Sequence, residues 1–189
     1  MKKCFLLLII LLPLYGCVAT TALVIGATAG GAIVYDKRSF STMGQDRKAT
    51  SKAQQALNQD SALKKRSHLA VTVYNHQALL VGQTQTAALK QRAQTLVEQI
   101  PHISRVYNGV TVAGSISTLQ RANDTWLTSK VRTSLLATKG LKSNDIKVVT
   151  EAGVVYLMGK ISRDQADLAT EATRHVGGVI KVVKVFEYA

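Results

Sequence analysis

Cysteine is almost absent from this chain. Of its 189 residues only Cys4 and Cys17 are cysteine, and both lie close to the amino terminus. Cys4 falls in a segment that we expect to be removed on export. The remaining chain would then have a single cysteine and could form no intramolecular disulfide, even in a compartment that permits disulfides. Packed apolar surface must therefore stabilise the fold.

Acidic side chains are scarce as well. The chain has 11 Asp and Glu residues against 24 Lys and Arg residues, a formal net charge of +13. The net charge is still +11 if Lys2 and Lys3 leave with an export signal. A basic exported protein meets little nucleic acid, so we expect no nucleic-acid partner. Anionic phospholipid, lipopolysaccharide or peptidoglycan is the expected partner class.

The sequence also lacks a pattern typical of catalytic or metal-binding sites. Its histidines are scattered, with no cysteine or carboxylate at ligand spacing; they are His68, His76, His102 and His175. The segment 114–117, Gly-Ser-Ile-Ser, is not a nucleophile elbow. We find no carboxylate that recurs between the two halves of the chain, and we interpret Asp124 and Asp145 as a helix cap and a strand-entry turn. We predict a protein that is not an enzyme and holds neither a metal nor a cofactor.

The amino terminus has the pattern of an export signal. Lys2 and Lys3 precede an apolar run that is too short to span a bilayer. The following Leu-Tyr-Gly-Cys, residues 14–17, resembles the bacterial lipobox. That resemblance implies a signal peptide at residues 1–16 and lipidation of Cys17, and Val18 after it implies sorting to the outer membrane. The alternative is an ordinary signal peptide, or a single membrane span through residues 18–35.

From residue 48 onward the chain repeats itself. Residues 69–83 align with 146–160 at an offset of 77, and each segment predicts two strands joined by a tight turn, at 75–76 and at 152–153. Downstream, each copy has a predicted helix, 86–100 and 163–176, and then a predicted third strand, 103–110 and 179–186. Upstream, at an offset of 78, the helical segment 51–57 aligns with 129–135.

The repeat predicts two tandem α+β domains, each with two helices packed on a three-stranded mixed sheet in the order α-β-β-α-β. We place the first unit at residues 48–113, a linker at 114–122 and the second unit at 123–189, after a lipidated tether at 17–47. Gly82 and Gly159 recur at the end of the second strand of each unit, where a bulge or a close helix approach leaves no room for a side chain.

The only tryptophan of the chain lies on an unexpected face of its helix. Leu127, Val131 and Leu135 form the apolar stripe that the fold buries, and Trp126 lies about 140° from the centre of that stripe. The repeat provides an internal control. The stripe is kept in the first unit as Ala49, Ala53 and Leu57, whereas Trp126 is matched by Lys48 and Leu136 by Asn58. The second unit has therefore gained apolar surface that its own fold does not need.

Segments such as "NDTW" at 123–126, "SKVR" at 129–132, "LVGQ" at 80–83 and "YLMG" at 156–159 resemble the BON domain family of bacterial envelope proteins. The resemblance covers nearly all of the chain. It implies an outer-membrane lipoprotein on the periplasmic face, associated with division and envelope stress, which binds anionic phospholipid through the first helix of its second BON domain.

We expect residues 124–137 to form this lipid-docking helix, because an indole ring prefers the bilayer interface and nearby cations attract anionic headgroups. The candidate lipid-binding residues are Trp126, Ser129, Lys130, Arg132, Thr133, Leu136 and Ala137.

Two alternatives remain open at this point. Trp126 could fill the seam between the two units instead of contacting lipid. The protein could also be a scaffold that holds an envelope protein or a peptidoglycan enzyme, through the Trp126 face or through the basic run Lys64-Lys65-Arg66, which we interpret as a solvated loop.

Overall fold

The structure, a computed structural model, describes residues 38–189. The predicted signal peptide, the lipidation of Cys17 and most of the predicted tether lie outside the described residues. The first unit contains α1 (Phe40–Gln59), α2 (Ser61–Arg66), β1 (Ser67–Tyr74), β2 (Gln77–Thr84), α3 (Ala87–Glu98), β3 (Arg105–Asn108) and β4 (Thr111–Val112). The second unit contains α4 (Thr118–Ala137), a 3-10 turn (Ser143–Asp145), β5 (Ile146–Glu151), β6 (Val154–Ile161), α5 (Arg163–Arg174) and β7 (Lys181–Tyr188).

Each unit has a mixed sheet, which confirms the predicted α+β fold. In the second unit the strand order is β5-β6-β7, with β5 antiparallel and β7 parallel to the central strand β6. The first unit has the same arrangement in β1-β2-β3, and the short β4 also pairs in parallel with β2. A parallel pair needs a crossover connection, which α3 and α5 provide in the two units. The sequence pattern missed α2 and β4.

The two hairpins have the turns that the repeat predicts. Asn75 and His76 both have positive φ, and so do Ala152 and Gly153, as a two-residue hairpin turn of the favoured twist requires. The recurring glycines lie against the backbone of the neighbouring strand or of the turn before it, and not against a helix. A Cβ on Gly82 would lie 2.0 Å from the carbonyl oxygen of His68, and one on Gly159 would lie 2.5 Å from that of Asp145.

The core has two outer parts and a shared middle. In each unit the helices cover one face of the sheet, and the predicted stripes of α1 and α4 are buried there. The opposite faces of the two sheets pack against each other. This seam consists of Tyr74, Leu79, Val81, Tyr156, Met158 and Val185. The described chain is therefore layered helix, sheet, sheet, helix.

Both first helices begin earlier than predicted. α1 starts at Phe40, inside the expected tether, with Ser39 as its N-cap; α4 starts at Thr118, inside the expected linker, with Ser117 as its N-cap. The cap prediction for Asp124 was wrong, because this residue lies in the interior of α4. The run Lys64-Lys65-Arg66 is also not a loop, although it is exposed: it forms the last turn of α2.

The prediction that no carboxylate recurs between the units was wrong. Asp46 and Asp124 correspond at the offset of 78, and both are buried. Asp124 accepts hydrogen bonds from the backbone N–H groups of Ala152 and Gly153, at 2.8 and 2.9 Å. Asp46 accepts the equivalent bonds from Asn75 and His76, at 2.7 and 2.9 Å. The recurring role is structural: each carboxylate ties the first helix of its unit to the hairpin turn.

Candidate functional site

The outer face of α4 carries two large apolar side chains in contact with solvent. Trp126 is 66% exposed and Leu136 is 68% exposed. Neither side chain belongs to the seam between the sheets, so the alternative that Trp126 fills this seam was wrong. Their counterparts in α1, Lys48 and Asn58, are also exposed but polar. Both units therefore expose these two helix positions to solvent, and only the second unit has apolar side chains there.

Two further exposed apolar residues, which sequence reasoning missed, belong to this surface. Leu119 is 71% exposed and lies seven residues before Trp126 on the same helix, which is two full turns. Ile180, 78% exposed, lies in the loop before β7 and lines a cleft of about 250 Å³ together with Trp126. We call Leu119, Trp126, Leu136 and Ile180 the apolar face.

The repeat again provides a control for the two added residues. Leu119 corresponds to Ser41 in the first unit, and Ile180 corresponds to Ser104. All four members of the apolar face are thus polar in the first unit. Exposed apolar residues also occur there, such as Phe40 and Val112, but they do not lie at these four positions. Leu119 fits the helical spacing of Trp126 but lies in the segment predicted to be a linker, whereas an isolated loop residue such as Ile180 carries no periodic signal.

The hydroxyl groups of the small residues between the apolar side chains of α4 already donate hydrogen bonds within the helix. The hydroxyl of Ser129 donates to the carbonyl of Thr125, and that of Thr133 donates to the carbonyl of Ser129, at 3.2 and 3.1 Å. Thr125 makes the same bond to Arg121, at 3.0 Å. Because these donors are satisfied inside the helix, burying them against an apolar layer costs less than burying free hydroxyls.

Lys130 and Arg132 flank the apolar face on opposite sides of α4. The ammonium group of Lys130 donates to the carbonyl oxygen of Gly177, after α5, and so helps to hold that loop against α4. The Arg132 side chain lies on the side of β5 and is exposed. Within residues 38–189 no carboxylate pairs with either cation.

The structure places the predicted site residues on one helix. Ser129, Arg132, Thr133 and Ala137 are exposed together with Trp126 and Leu136, and Lys130 is partly buried. Among the described residues no group of three His, Cys, Asp or Glu side chains could hold a metal, and none of the helices there is long and apolar enough to cross a bilayer.

The family model of the BON domain matches residues 45–114 and 123–189, which are the two repeated units. The chain belongs to the BON domain family. Its first BON domain holds α1 to β4, and its second BON domain holds α4 to β7 and the apolar face. The recurring Asp46 and Asp124 lie at equivalent positions in the two BON domains.

The chain is also similar to two named bacterial proteins over most of their length. The chain is 32% identical over 188 residues to the outer membrane lipoprotein DolP of Haemophilus influenzae, with 100% of this chain and 96% of that protein covered. It is 35% identical over 153 residues to the 21 kDa hemolysin of Actinobacillus pleuropneumoniae, with 81% and 79% covered. Among solved structures, a chain of CdsD, a structural protein of the Chlamydia trachomatis type III secretion system, matches 74% of this chain with a TM-score of 0.31, 11% identity and 91% of its own length covered.

Proposed function

We propose that this protein is an outer-membrane lipoprotein, anchored through Cys17, whose second BON domain docks on anionic phospholipid through the apolar face. The exposure of Trp126 in a position that the first BON domain fills with Lys48 is the observation that carries the proposal. Its similarity to a relative named as an outer membrane lipoprotein supports the location. We propose a binding role without catalysis.

The energetics favour a membrane as the cover for this face. Full exposure of a tryptophan side chain forgoes about 4–6 kcal/mol of burial by an area rule that gives an upper bound, and Trp126, which is 66% exposed, forgoes about two thirds of that amount. At a bilayer interface the indole ring is buried while its N–H stays hydrated. The cations on both flanks of α4 add electrostatic attraction of about 1 kcal/mol each near an anionic surface.

Lipidation of Cys17 would change the role of the lipid contact that the apolar face makes. Several acyl chains, at about 0.8 kcal/mol per buried methylene, give effectively permanent attachment. The docking surface is then not needed for anchoring. It would instead select where on the membrane the protein resides, with a preference for regions rich in anionic lipid such as division sites, where the protein would support envelope integrity.

The single tryptophan provides a direct test. Adding vesicles that contain anionic phospholipid should shift the emission of Trp126 to shorter wavelength, whereas purely zwitterionic vesicles should have little effect. In co-sedimentation, Trp126→Ala combined with Leu136→Ala should bind anionic vesicles at least about tenfold more weakly, equivalent to about 1.4 kcal/mol.

The matched control replaces the counterparts in the first BON domain. Lys48→Ala combined with Asn58→Ala changes the same two helix positions, so it should bind vesicles nearly as tightly as the parent. An unshifted emission spectrum, together with equal binding by both double variants, would refute the docking proposal.

One observation favours the alternative role as a scaffold for an envelope protein or a peptidoglycan enzyme. Lys64, Lys65 and Arg66 are exposed on α2, and within residues 38–189 they pair with no carboxylate. A stoichiometric protein partner captured from a lipid-free extract, and lost when Lys64, Lys65 and Arg66 are replaced by alanine, would support the scaffold over lipid docking.

A further inference from the structure

The edge strand β1 of the first BON domain has its outward backbone groups covered by α1. Since β1 pairs only with β2, alternate N–H and C=O groups of β1 point away from the sheet. The Gln54 amide accepts from the N–H of Val71 at 3.2 Å and donates to the carbonyl of Leu69 at 3.1 Å. The Thr50 hydroxyl accepts from the N–H of Val73 at 3.0 Å. These side chains occupy the groups that an added strand would need.

The equivalent edge of the second BON domain is not covered in this way. At the repeat offset of 77 the three groups correspond to the carbonyl of Ile146 and the N–H groups of Val148 and Thr150, on the edge strand β5. Gln54 corresponds to Arg132, and a guanidinium group has no acceptor for the N–H of Val148. In the described part of the chain none of these three backbone groups has a hydrogen-bond partner.

The threonine of α4 that could replace Thr50 is engaged elsewhere. Thr128 corresponds to Thr50, but its hydroxyl bonds to the carbonyl of Asp124 at 2.9 Å and to the hydroxyl of Thr150 at 2.8 Å. Thr150 itself stands where the first domain has Val73, so its hydroxyl draws Thr128 away from the backbone. Two differences between the domains therefore open this edge, although the helix, the strand and the pairing register are retained.

A groove between α4 and β5 lies along the open edge. Its volume is about 230 Å³, and its wall is mainly apolar, with Leu135, Leu136, Ile146 and Val148. The groove is smaller than the 300–1,000 Å³ typical of sites that enclose a whole small molecule. Successive side chains of a strand point to opposite faces of the sheet, so a strand added to β5 would place every second side chain in this groove. Apolar side chains fit those positions.

The opposite face of β5 is cationic. Lys147 points towards the first domain, because its partner in β6 belongs to the seam, and it lines a second cleft of about 440 Å³ together with Arg47 of α1. Asp46 in this cleft is already engaged by Arg38 and by the hairpin turn. Within residues 38–189 no carboxylate pairs with Lys147 or Arg47. Partial burial lowers the pKa of the Lys147 ammonium group, and the charges of Arg132 and Arg38 lower it further. Acidic side chains on an added strand would compensate these charges.

We propose that β5 is a strand-addition site, which binds an extended segment of a partner protein with apolar residues facing α4 and acidic residues facing Lys147 and Arg47. Backbone hydrogen bonds to Ile146, Val148 and Thr150 supply affinity, and the alternating side chains supply specificity. A second copy of this chain is disfavoured, since it would bring the same cations to the edge, and like charges destabilise strand pairs. The proposal goes beyond lipid docking and does not depend on it.

The test adds a short synthetic peptide of alternating valine and glutamate, blocked at both ends, to the whole protein without lipid vesicles. Hydrogen exchange of single backbone amides is the readout. In the free protein Val148 and Thr150 should exchange faster than Val71 and Val73, which α1 covers. Saturating peptide should slow exchange at Val148 and Thr150 at least about tenfold and leave Val71 and Val73 unchanged.

Charge reversal tests the cationic face of β5. Lys147→Glu should weaken binding of the glutamate peptide about tenfold, and it should bind a valine and lysine peptide more tightly than the parent does. Lys181→Glu is the matched control, because Lys181 lies on β7 at the other edge of the same sheet; it should weaken binding by less than about twofold. Unchanged urea unfolding midpoints for both variants would show that the fold is kept.

Arg132→Gln and Arg132→Met separate the backbone cover from the charge. Both remove the guanidinium group, but only glutamine can accept from the N–H of Val148 as Gln54 does from Val71. In the free protein Arg132→Gln should slow exchange at Val148, and it should bind the glutamate peptide more weakly than Arg132→Met. Equal behaviour of the two variants would contradict the role of the open backbone groups.

The remaining outcomes identify other occupants of the edge. Unslowed exchange at Val148 and Thr150 with saturating peptide refutes strand addition and leaves lipid docking untouched, because the assay contains no lipid. Equal weakening by Lys147→Glu and Lys181→Glu would refute the assignment to β5. Protection that rises with protein concentration in the absence of peptide would assign the edge to a second copy, and protection only on anionic vesicles would assign it to the membrane surface; either result overturns the proposal.

Discussion

At the scale of single residues, two buried aspartates connect the hairpin turns to the first helix of each unit. Asp46 and Asp124 each use both carboxylate oxygens to accept two backbone N–H groups of a turn. The sequence held this information, because both residues lie at the same repeat position. An aspartate near an expected helix start is usually a cap, and the position of Asp124 inside the helix follows only from the earlier start of α4 at Thr118.

We predict that Asp124→Asn destabilises the protein by about 1–3 kcal/mol. An asparagine side chain has a single acceptor oxygen, so one buried N–H of Ala152 or Gly153 would lose its partner. Denaturant unfolding measures the effect. Asp167→Asn is the control, since Asp167 is exposed and forms only a surface pair with Lys184 at 3.7 Å, worth less than about 1 kcal/mol. Equal unfolding midpoints for the two variants would contradict the role of Asp124.

At the scale of elements, the buried side of the fold could be predicted and the exposed side only in part. Periodicity located α3, α5 and the buried stripe of α4, because burial imposes a regular spacing. The starts of α1 and α4 could not be located in this way, since their first turns bury little and are fixed by the serine caps at 39 and 117. Trp126 and Leu136 were found because the repeat offered a comparison. Ile180 lies in a loop, where no spacing rule applies.

The glycines at the strand ends provide a prediction at this scale. Gly82→Ala should destabilise the protein by at least about 2 kcal/mol, because its φ of +120° is unfavourable for alanine and the new methyl group would collide with the carbonyl of His68. Thermal or denaturant unfolding tests this expectation.

Replacing a glycine inside a helix by alanine should instead increase the stability of the protein. Gly44 lies in α1, and a Cβ there would meet nothing within 4 Å. Gly44→Ala should therefore stabilise the protein by about 0.5–1 kcal/mol, through helix propensity alone. If both alanine variants changed stability in the same direction, the structural reason given for Gly82 would be wrong.

At the scale of the whole molecule, the two units share an interior that the repeat alone did not reveal. The central strand β2 is buried along nearly its whole length, and β6 is similar. A strand buried on both faces has a continuous apolar run instead of an alternating one, and "ALLV" at 78–81 and "VVYLM" at 154–158 have this character. Which surface covers the second face cannot be inferred from one strand, because another sheet, a helix or a partner would produce the same run.

Polar contacts at the rim of the seam make the coupling of the units sensitive to pH. The carboxylate of Glu187 on β7 pairs with Lys160 at 2.9 Å and accepts from the Asn75 side chain of the first unit at 2.6 Å. The hydrogen bond from Lys160 lowers the pKa of Glu187, burial opposes this shift, and Asn75 and the charges of Lys160 and His76 reinforce it. A lowered folded-state pKa means that Glu187 stabilises the fold above the ordinary glutamate pKa, and that this contribution disappears as the pH falls through the folded-state pKa.

We therefore predict that Glu187→Gln lowers the free energy of unfolding at neutral pH by less than about 1 kcal/mol, as for other half-exposed pairs. The difference from the parent should vanish in acid, where Glu187 is protonated in both the folded and the unfolded state. Urea titrations at the two pH values test this. Glu98→Gln, which removes a carboxylate that bonds only to Gln94 of its own helix, should not reproduce the effect; a penalty for Glu187→Gln that persists in acid would contradict the electrostatic explanation.

The layered order of the molecule places the first helices of the two units on opposite surfaces. Since the sheets meet through their inner faces, α1 and α4 lie on opposite outer sides of a double sheet whose layers are about 10 Å apart. If α4 docks on lipid as proposed, the first BON domain would stand off from the bilayer as a spacer and turn the polar side of α1 towards the aqueous compartment. A partner that approaches from that compartment could then engage the first domain while the membrane contact stays in place.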